Sequence, residues 1–120
     1  MPARKSEDSL TVVRDGSPET GAGARRARLR VVAGPDRGQE FDLDKHRCVI
    51  GRRNADVVLR DPRVSRQHAI LEIYKDRILL KDLGSSNGTQ VNGRRIEVEM
   101  LSAGSRILIG DSTLELLLES

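Results

Sequence analysis

The sequence predicts an all-β fold, a sandwich or barrel assembled from many short strands. Three observations carry that prediction. Apolar and polar residues alternate over short runs, which turns one face of each run inward. Glycine, proline and asparagine punctuate the runs where the chain must turn. No stretch shows a helical apolar period of useful length. The chain has 120 residues, enough for one domain to bury a modest core without covalent staples.

Residues 1–25 are polar, charged and rich in Ser, Gly, Ala and Thr. They hold too little apolar surface to offset their ordering entropy, so they read as a disordered tail ahead of a domain at 26–120. One piece of the tail, Leu10-Thr11-Val12-Val13, has the character of a strand seeking a partner. The run Arg25-Arg26-Ala27-Arg28-Leu29-Arg30 then leads into a first strand near 28–33. It reads as a nucleic-acid or membrane patch, or as a strand edge that charge protects from other strands; the edge reading is preferred.

Gly34-Pro35-Asp36-Arg37-Gly38 is a turn by residue chemistry, with proline presetting the bend. Strands follow through Glu40-Phe41-Asp42-Leu43 and through Arg47 to Ile50. Further strands are expected at 56–60, 68–74, 77–83, 106–110 and 113–118. In the first of these, Val57 and Leu59 face inward while Asp56, Val58 and Arg60 face out. Ala69, Leu71 and Ile73 alternate against His68, Ile70, Glu72 and Tyr74, and Ile78 and Leu80 against Leu79 and Lys81. Val91-Asn92-Gly93-Arg94 reads as a hairpin, because Asn-Gly tolerates the positive φ values of such turns.

Composition narrows the function classes. The single cysteine, Cys48, sits in the apolar run Cys48-Val49-Ile50 and reads as a buried thiol in a reducing cytoplasm. No metal-ligand spacing surrounds it, and no metal or cofactor is expected. No apolar run approaches the roughly 20 residues of a membrane-spanning helix, and Met1-Pro2-Ala3-Arg4 does not open a signal peptide. The net charge of +3 is too mild to argue for nucleic acid. Phe41 and Tyr74 are the only large aromatics, which counts against base stacking.

The loops carry the chemistry. Arg52 and Arg53 follow Gly51, Ser65 and Arg66 close the loop begun by Asp61-Pro62-Arg63, and Gly84-Ser85-Ser86-Asn87-Gly88 forms another. A phosphoryl group on a side chain carries about −1.5 to −2 charges and three acceptor oxygens at neutral pH. It asks for rigidly held donors, at least one cationic, and a guanidinium fork meets two oxygens at once. Serine hydroxyls complete such a shell, and an asparagine amide can fix the main chain of the ligand.

Four blocks extend this reading: Ile50-Gly51-Arg52, Asp56-Val57-Val58-Leu59-Arg60-Asp61, Val64-Ser65-Arg66-Gln67-His68-Ala69, and Asp82-Leu83-Gly84-Ser85-Ser86-Asn87-Gly88-Thr89-Gln90-Val91-Asn92-Gly93. In order and spacing they resemble the signature of the forkhead-associated (FHA) domain, over about residues 28–118. The resemblance implies a two-sheet β-sandwich of the FHA/SMAD-like kind that recognises phosphothreonine in extended peptides. Arg52 and Ser65 would bind the phosphate, Arg66 and Ser86 would assist, and Asn87 would hold the peptide backbone. Gly51 and His68 match positions of architectural role, with His68 bracing the loop that displays Ser65. Ser105 stands where the family often has Asp, at the far end of the module from the phosphate site.

The implied function is a signalling adaptor or regulator downstream of a Ser/Thr protein kinase, with a phosphothreonine protein or peptide as partner. Alternatives are the N-terminal sensory module of a larger bacterial transcriptional regulator and a nucleic-acid-binding domain using residues 25–30. An enzyme is disfavoured. Ser65 and His68 lack a nucleophile-elbow sequence and an orienting acid, and the 84–89 loop lacks the Gly-Lys-Ser/Thr ending of a nucleotide loop. Thr11 and Thr20, flanked by Glu7, Asp8 and Glu19, are candidate phosphosites through which the tail would fold back into the site.

Overall fold

The computed structural model describes residues 26–119; the expectations for Leu10–Val13, Thr11 and Thr20 lie outside them. Among the described residues eleven strands form: β1 (Arg26–Ala33), β2 (Glu40–Asp42), β3 (Arg47–Gly51), β4 (Val57–Val58), β5 (Ala69–Ile73), β6 (Ile78–Asp82), β7 (Thr89–Val91), β8 (Arg94–Ile96), β9 (Val98–Leu101), β10 (Arg106–Ile109) and β11 (Ser112–Glu119). They make two sheets, one of six strands in the order β2-β1-β11-β10-β7-β8 and one of five in the order β4-β3-β5-β6-β9. The expected two-sheet sandwich is the architecture found.

Alternation builds the core. Leu29 and Val31 of β1, Ile107 and Ile109 of β10, and Leu114 and Leu116 of β11 point inward from the larger sheet. Ile50, Val57, Ala69, Leu71 and Leu80 meet them from the other. Each buried Val, Leu or Ile side chain contributes about 1.5–3 kcal/mol against conformational entropy. Val57 and Leu59 are buried and Val58 is exposed, as the sequence pattern requires. At the Asn92–Gly93 hairpin φ is 50° and 87°, the paired positive values of a two-residue turn.

Several expectations are corrected. β1 is no sheet edge: it runs between β2 and β11. Two of its arginines are paired across the strands, Arg28 with Glu40 at 2.9 Å and Glu119 at 3.1 Å, and Arg30 with Glu40 at 3.2 Å. Those ion pairs offset the charge that Arg28 and Arg30 would bring to a nucleic-acid patch. The strand expected at 56–60 shortens to Val57–Val58, which pairs in parallel with Ile50–Gly51 before Arg60 is captured by Asp36. On the outward face of β5, Ile70 and Glu72 are buried, not solvated. Lys81 and the Tyr74 hydroxyl bond Glu72, and Arg47 lies 3.5 Å from it.

Two buried carboxylates gather the loops at one rim. Asp36, in the turn after β1, accepts from the Arg60 backbone N–H at 2.7 Å. Asp61 is fully buried and accepts from the N–H groups of Arg63 at 2.9 Å and Asp111 at 2.7 Å, and from the Ser112 hydroxyl at 2.8 Å. The loop before β5 is thereby fastened to the β10–β11 turn. The opposite end of the sandwich holds the start of β1, where Arg26 pairs with Glu119.

Candidate functional site

Gly51 ends β3 and lets two loops touch. A Cβ placed there would overlap the Arg66 carbonyl group, 2.7 Å from its carbon and closer still to its oxygen. With no side chain in the way, the Arg52 N–H donates to the carbonyls of Ser65 at 3.1 Å and Arg66 at 2.9 Å. The Arg53 N–H donates to the Arg66 carbonyl at 3.2 Å. Backbone bonds therefore fix where Arg52 and Arg66 leave the rim.

His68 carries the next link. Its ring is fully buried. Nδ1 accepts from the Ser65 N–H at 3.0 Å, and Nε2 lies 2.8 Å from the Gly88 carbonyl oxygen, to which it must donate. That pattern selects one neutral tautomer. The imidazole joins the Ser65 loop to the Asn87 loop from beneath, leaving the Ser65 hydroxyl on the rim. There Ser65 Oγ accepts from the Ser86 N–H at 3.1 Å. Asn87 Nδ2 donates to the Arg63 carbonyl at 2.8 Å, closing the ring of loops.

Asp82 organises the loop that carries Ser86 and Asn87, a part the sequence reading left without a role. Its carboxylate accepts from the N–H groups of Gly84 at 2.9 Å and Ser85 at 3.0 Å, from the Ser85 hydroxyl, and from Thr89 Oγ1 at 2.7 Å. Ser85 Oγ in turn accepts from the Gly88 N–H at 2.9 Å, so Ser85 is a turn former. The sequence signal was there: an Asp two and three residues before Gly84-Ser85 is the pattern of an Asx turn. Burial opposes ionisation of Asp61 and Asp82, yet the convergent donors outweigh it and hold both carboxyls below the ordinary aspartate value.

The structure brings Arg52, Ser65, Arg66, Ser86 and Asn87 to one rim, with Gly51 and His68 beneath them. Arg52, Arg53 and Arg66 are exposed, and no ion pair among the described residues engages them. Beside Asn87 opens a depression of about 190 Å³ lined by Arg63, Asn87, Gly88, Gln90, Leu108, Gly110 and Asp111. The arrangement offers unpaired guanidinium groups, hydroxyls and a side-chain amide to an anion with an extended chain attached. Among the described residues there is no cluster of three or more potential metal ligands, and no helix long and apolar enough to cross a membrane.

Known proteins with similar sequences and structures fit this geometry. Residues 30–120 match the family described as the cytoplasmic domain of the inner membrane component of T3SS, Yop-YscD. A curated oxoglutarate dehydrogenase inhibitor of Corynebacterium diphtheriae is 38% identical over 97 residues, which is 80% of this chain and 65% of that protein. The chain thus spans just under two thirds of that relative's length. The solved FHA domain of a Chlamydia trachomatis protein is 39% identical with a TM-score of 0.72, over 77% of this chain and 96% of that one. A structure described under phosphothreonine-dependent FHA domain interactions is 30% identical with a TM-score of 0.74, over 79% of this chain and 98% of that one. With the sandwich, the motif order and these likenesses in agreement, the chain belongs to the forkhead-associated family.

Proposed function

We propose that this FHA domain docks reversibly onto phosphothreonine in extended peptides, and acts as an adaptor or regulator downstream of a Ser/Thr protein kinase. The observation that carries the reading is the rim itself: Arg52 and Arg66 are exposed beside Ser65, with no carboxylate partner among the described residues, on loops joined by backbone bonds. Arg52 and Ser65 take the phosphate oxygens, Arg66 and Ser86 assist, and Asn87 bonds the peptide main chain. Preorganised donors of this kind bind a dianion without the cost of ordering loops. No chemistry is done on the ligand. A similar solved domain is described by phosphothreonine-dependent interactions, and a curated relative is named an inhibitor; both descriptions suit a regulator rather than an enzyme. A reducing, cytoplasmic setting agrees with the free buried Cys48.

Titration of the folded protein with a phosphothreonine peptide, its unphosphorylated twin and a phosphoserine version tests the proposal. Binding is expected for the first and none for the second. Arg52→Ala is expected to cost about 1.5–3 kcal/mol of binding with little change in melting temperature, and Arg52→Lys recovers only part because a point charge lacks the fork. Equal affinity for the unphosphorylated twin refutes the reading. The tail supplies a ligand in the same scheme: phosphorylated Thr11 or Thr20 competes for the rim and regulates it.

A further inference from the structure

Among the described residues four strands end the two sheets, and three of them are guarded against further pairing. β2 exposes Glu40 and Asp42, β8 exposes Arg94 and Arg95, and β4 is two residues long. Charge and shortness are what protect a sheet edge. β9 is different. It runs four residues, and its one charged side chain, Glu99, is turned back to Arg94 of β8 at 3.6 Å. Val98 and Met100 are 56% and 62% exposed, more than any other large apolar side chain among the described residues. The backbone of β9 is open as well. The Asp82 N–H donates to the Glu97 carbonyl at 2.9 Å, and the register continues with Lys81 opposite Val98 and Leu79 opposite Met100. Bonded and non-bonded pairs alternate along an antiparallel ladder. Glu97, Glu99 and Leu101 therefore spend their backbone groups on β6, while the N–H and C=O groups of Val98 and Met100 point away from it. No backbone partner among the described residues takes them.

An apolar strand of matching length fits this edge, and the chain carries one ahead of the domain: Leu10-Thr11-Val12-Val13. Laid beside β9, it groups Leu10 and Val12 with Val98 and Met100, and turns Thr11 and Val13 to the side of Glu99 and Leu101. The tether is long enough. β1 and β8 are four strand spacings apart, about 19 Å, and the two sheets are separated by about 10 Å. From Val13 to Arg26 there are thirteen residues, about 43 Å when extended. A short strand also gains from being attached, since a flexible linker supplies an effective concentration in the millimolar range. A second β9 has no such tether, and pairing two of them brings two Glu99 carboxylates together. We infer that β9 is the docking edge for this chain's own Leu10–Val13 while Thr11 is unphosphorylated. A phosphate on Thr11 adds about −1.5 to −2 charges on the side of Glu97 and Glu99 and releases the segment. Docking rests on the edge alone; only the fate of the released segment at the rim rests on the phosphothreonine reading.

Hydrogen exchange at the Val98 and Met100 amides of the full chain tests the inference. The unphosphorylated wild type is expected to exchange there at least about tenfold more slowly than a Leu10→Asp, Val12→Asp double variant, as two backbone bonds would give. Met100→Lys, at an exposed position, is expected to lose the same protection at Val98. Unchanged exchange at the β5 and β10 amides reports an intact fold in every variant. Phosphorylation of Thr11 is expected to bring both amides to the rate of the double variant. Arg52→Ala keeps the protection in the unphosphorylated chain, so failure of the phosphothreonine site and failure of this inference are told apart. Equal exchange in the wild type and the double variant overturns the inference, as does protection that survives phosphorylation of Thr11. Protection that grows with protein concentration assigns the edge to a second copy and overturns it too.

Discussion

Gly51 and the carbonyl of Arg66 are in contact so close that no side chain fits between them. This contact is what allows the Arg52 N–H to reach both the Ser65 and Arg66 carbonyls. The glycine acts by lacking a Cβ, since the atom it meets is backbone and has nowhere to rotate. Gly51→Ala must push the β3–β4 and β4–β5 loops apart. The expected cost is about 1–3 kcal/mol of stability, with a further loss of phosphopeptide affinity because Arg52 and Ser65 move relative to each other. Melting curves and titrations on the same preparation check both; an alanine variant that melts and binds like wild type refutes the account.

His68 is a brace whose two nitrogens have different duties. Replacement by Phe keeps the ring volume but leaves the Ser65 N–H and the Gly88 carbonyl without their partner. Each buried polar group stranded in this way costs about 1–3 kcal/mol, so His68→Phe is expected to lower stability by about 2–5 kcal/mol. Hydrogen exchange at the Ser65 amide should accelerate well beyond the change in global stability. Protection at Ser65 that tracks only global unfolding counts against the assignment.

Asp61 and Asp82 set the behaviour in acid. Burial alone would raise their pKa, but the donors around each carboxylate prevail and the folded value lies below the ordinary 3.8. A group depressed on folding contributes stability that is complete above its unfolded pKa and is lost as pH falls through the folded one. The melting temperature should therefore hold from neutral pH down to about 5 and decline below about 4. Asp56, held low by Lys45, and Glu72, held low by Lys81, add to the same window. Asp61→Asn destabilises at neutral pH and flattens the acid slope; a variant with the full wild-type slope excludes Asp61 as a source.

Which parts were legible in the sequence follows from where each partner lies. Val57 and Leu59 announce their face because a strand's own alternation is a local property. β8 and β9 are short, and the alternation of Ile96-Glu97-Val98-Glu99-Met100 does not mark an inward face: Val98 and Met100 are exposed, while Ile96 and Leu101 are buried. β1 was mistaken for an edge because the charges that neutralise Arg28 come from Glu40 and Glu119, far away in the chain. The rim residues Arg52, Ser65 and Asn87 stand in compact blocks and were found. Asp61 was given no role because its donor Ser112 is 51 residues distant.

Chain length separates the two tail threonines. The strand β1 begins at Arg26, at the end of the sandwich opposite the rim. Its eight residues span about 23 Å, and a ligand must also cross to the loops of the other sheet. From Thr20 to Arg26 there are six residues, about 21 Å when fully extended, and those next to the phosphothreonine would themselves lie along the rim. From Thr11 there are fifteen residues, about 50 Å. Phosphothreonine 11 can thus close on its own domain, whereas phosphothreonine 20 has to engage a second copy or unzip β1. Singly phosphorylated Thr20→Ala and Thr11→Ala proteins distinguish the two. The first is expected to stay monomeric and to resist an external phosphopeptide at any protein concentration. The second is expected to self-associate as concentration rises, and to resist only then. Concentration-independent closure by phosphothreonine 20 with β1 amides still protected from exchange refutes the reach argument.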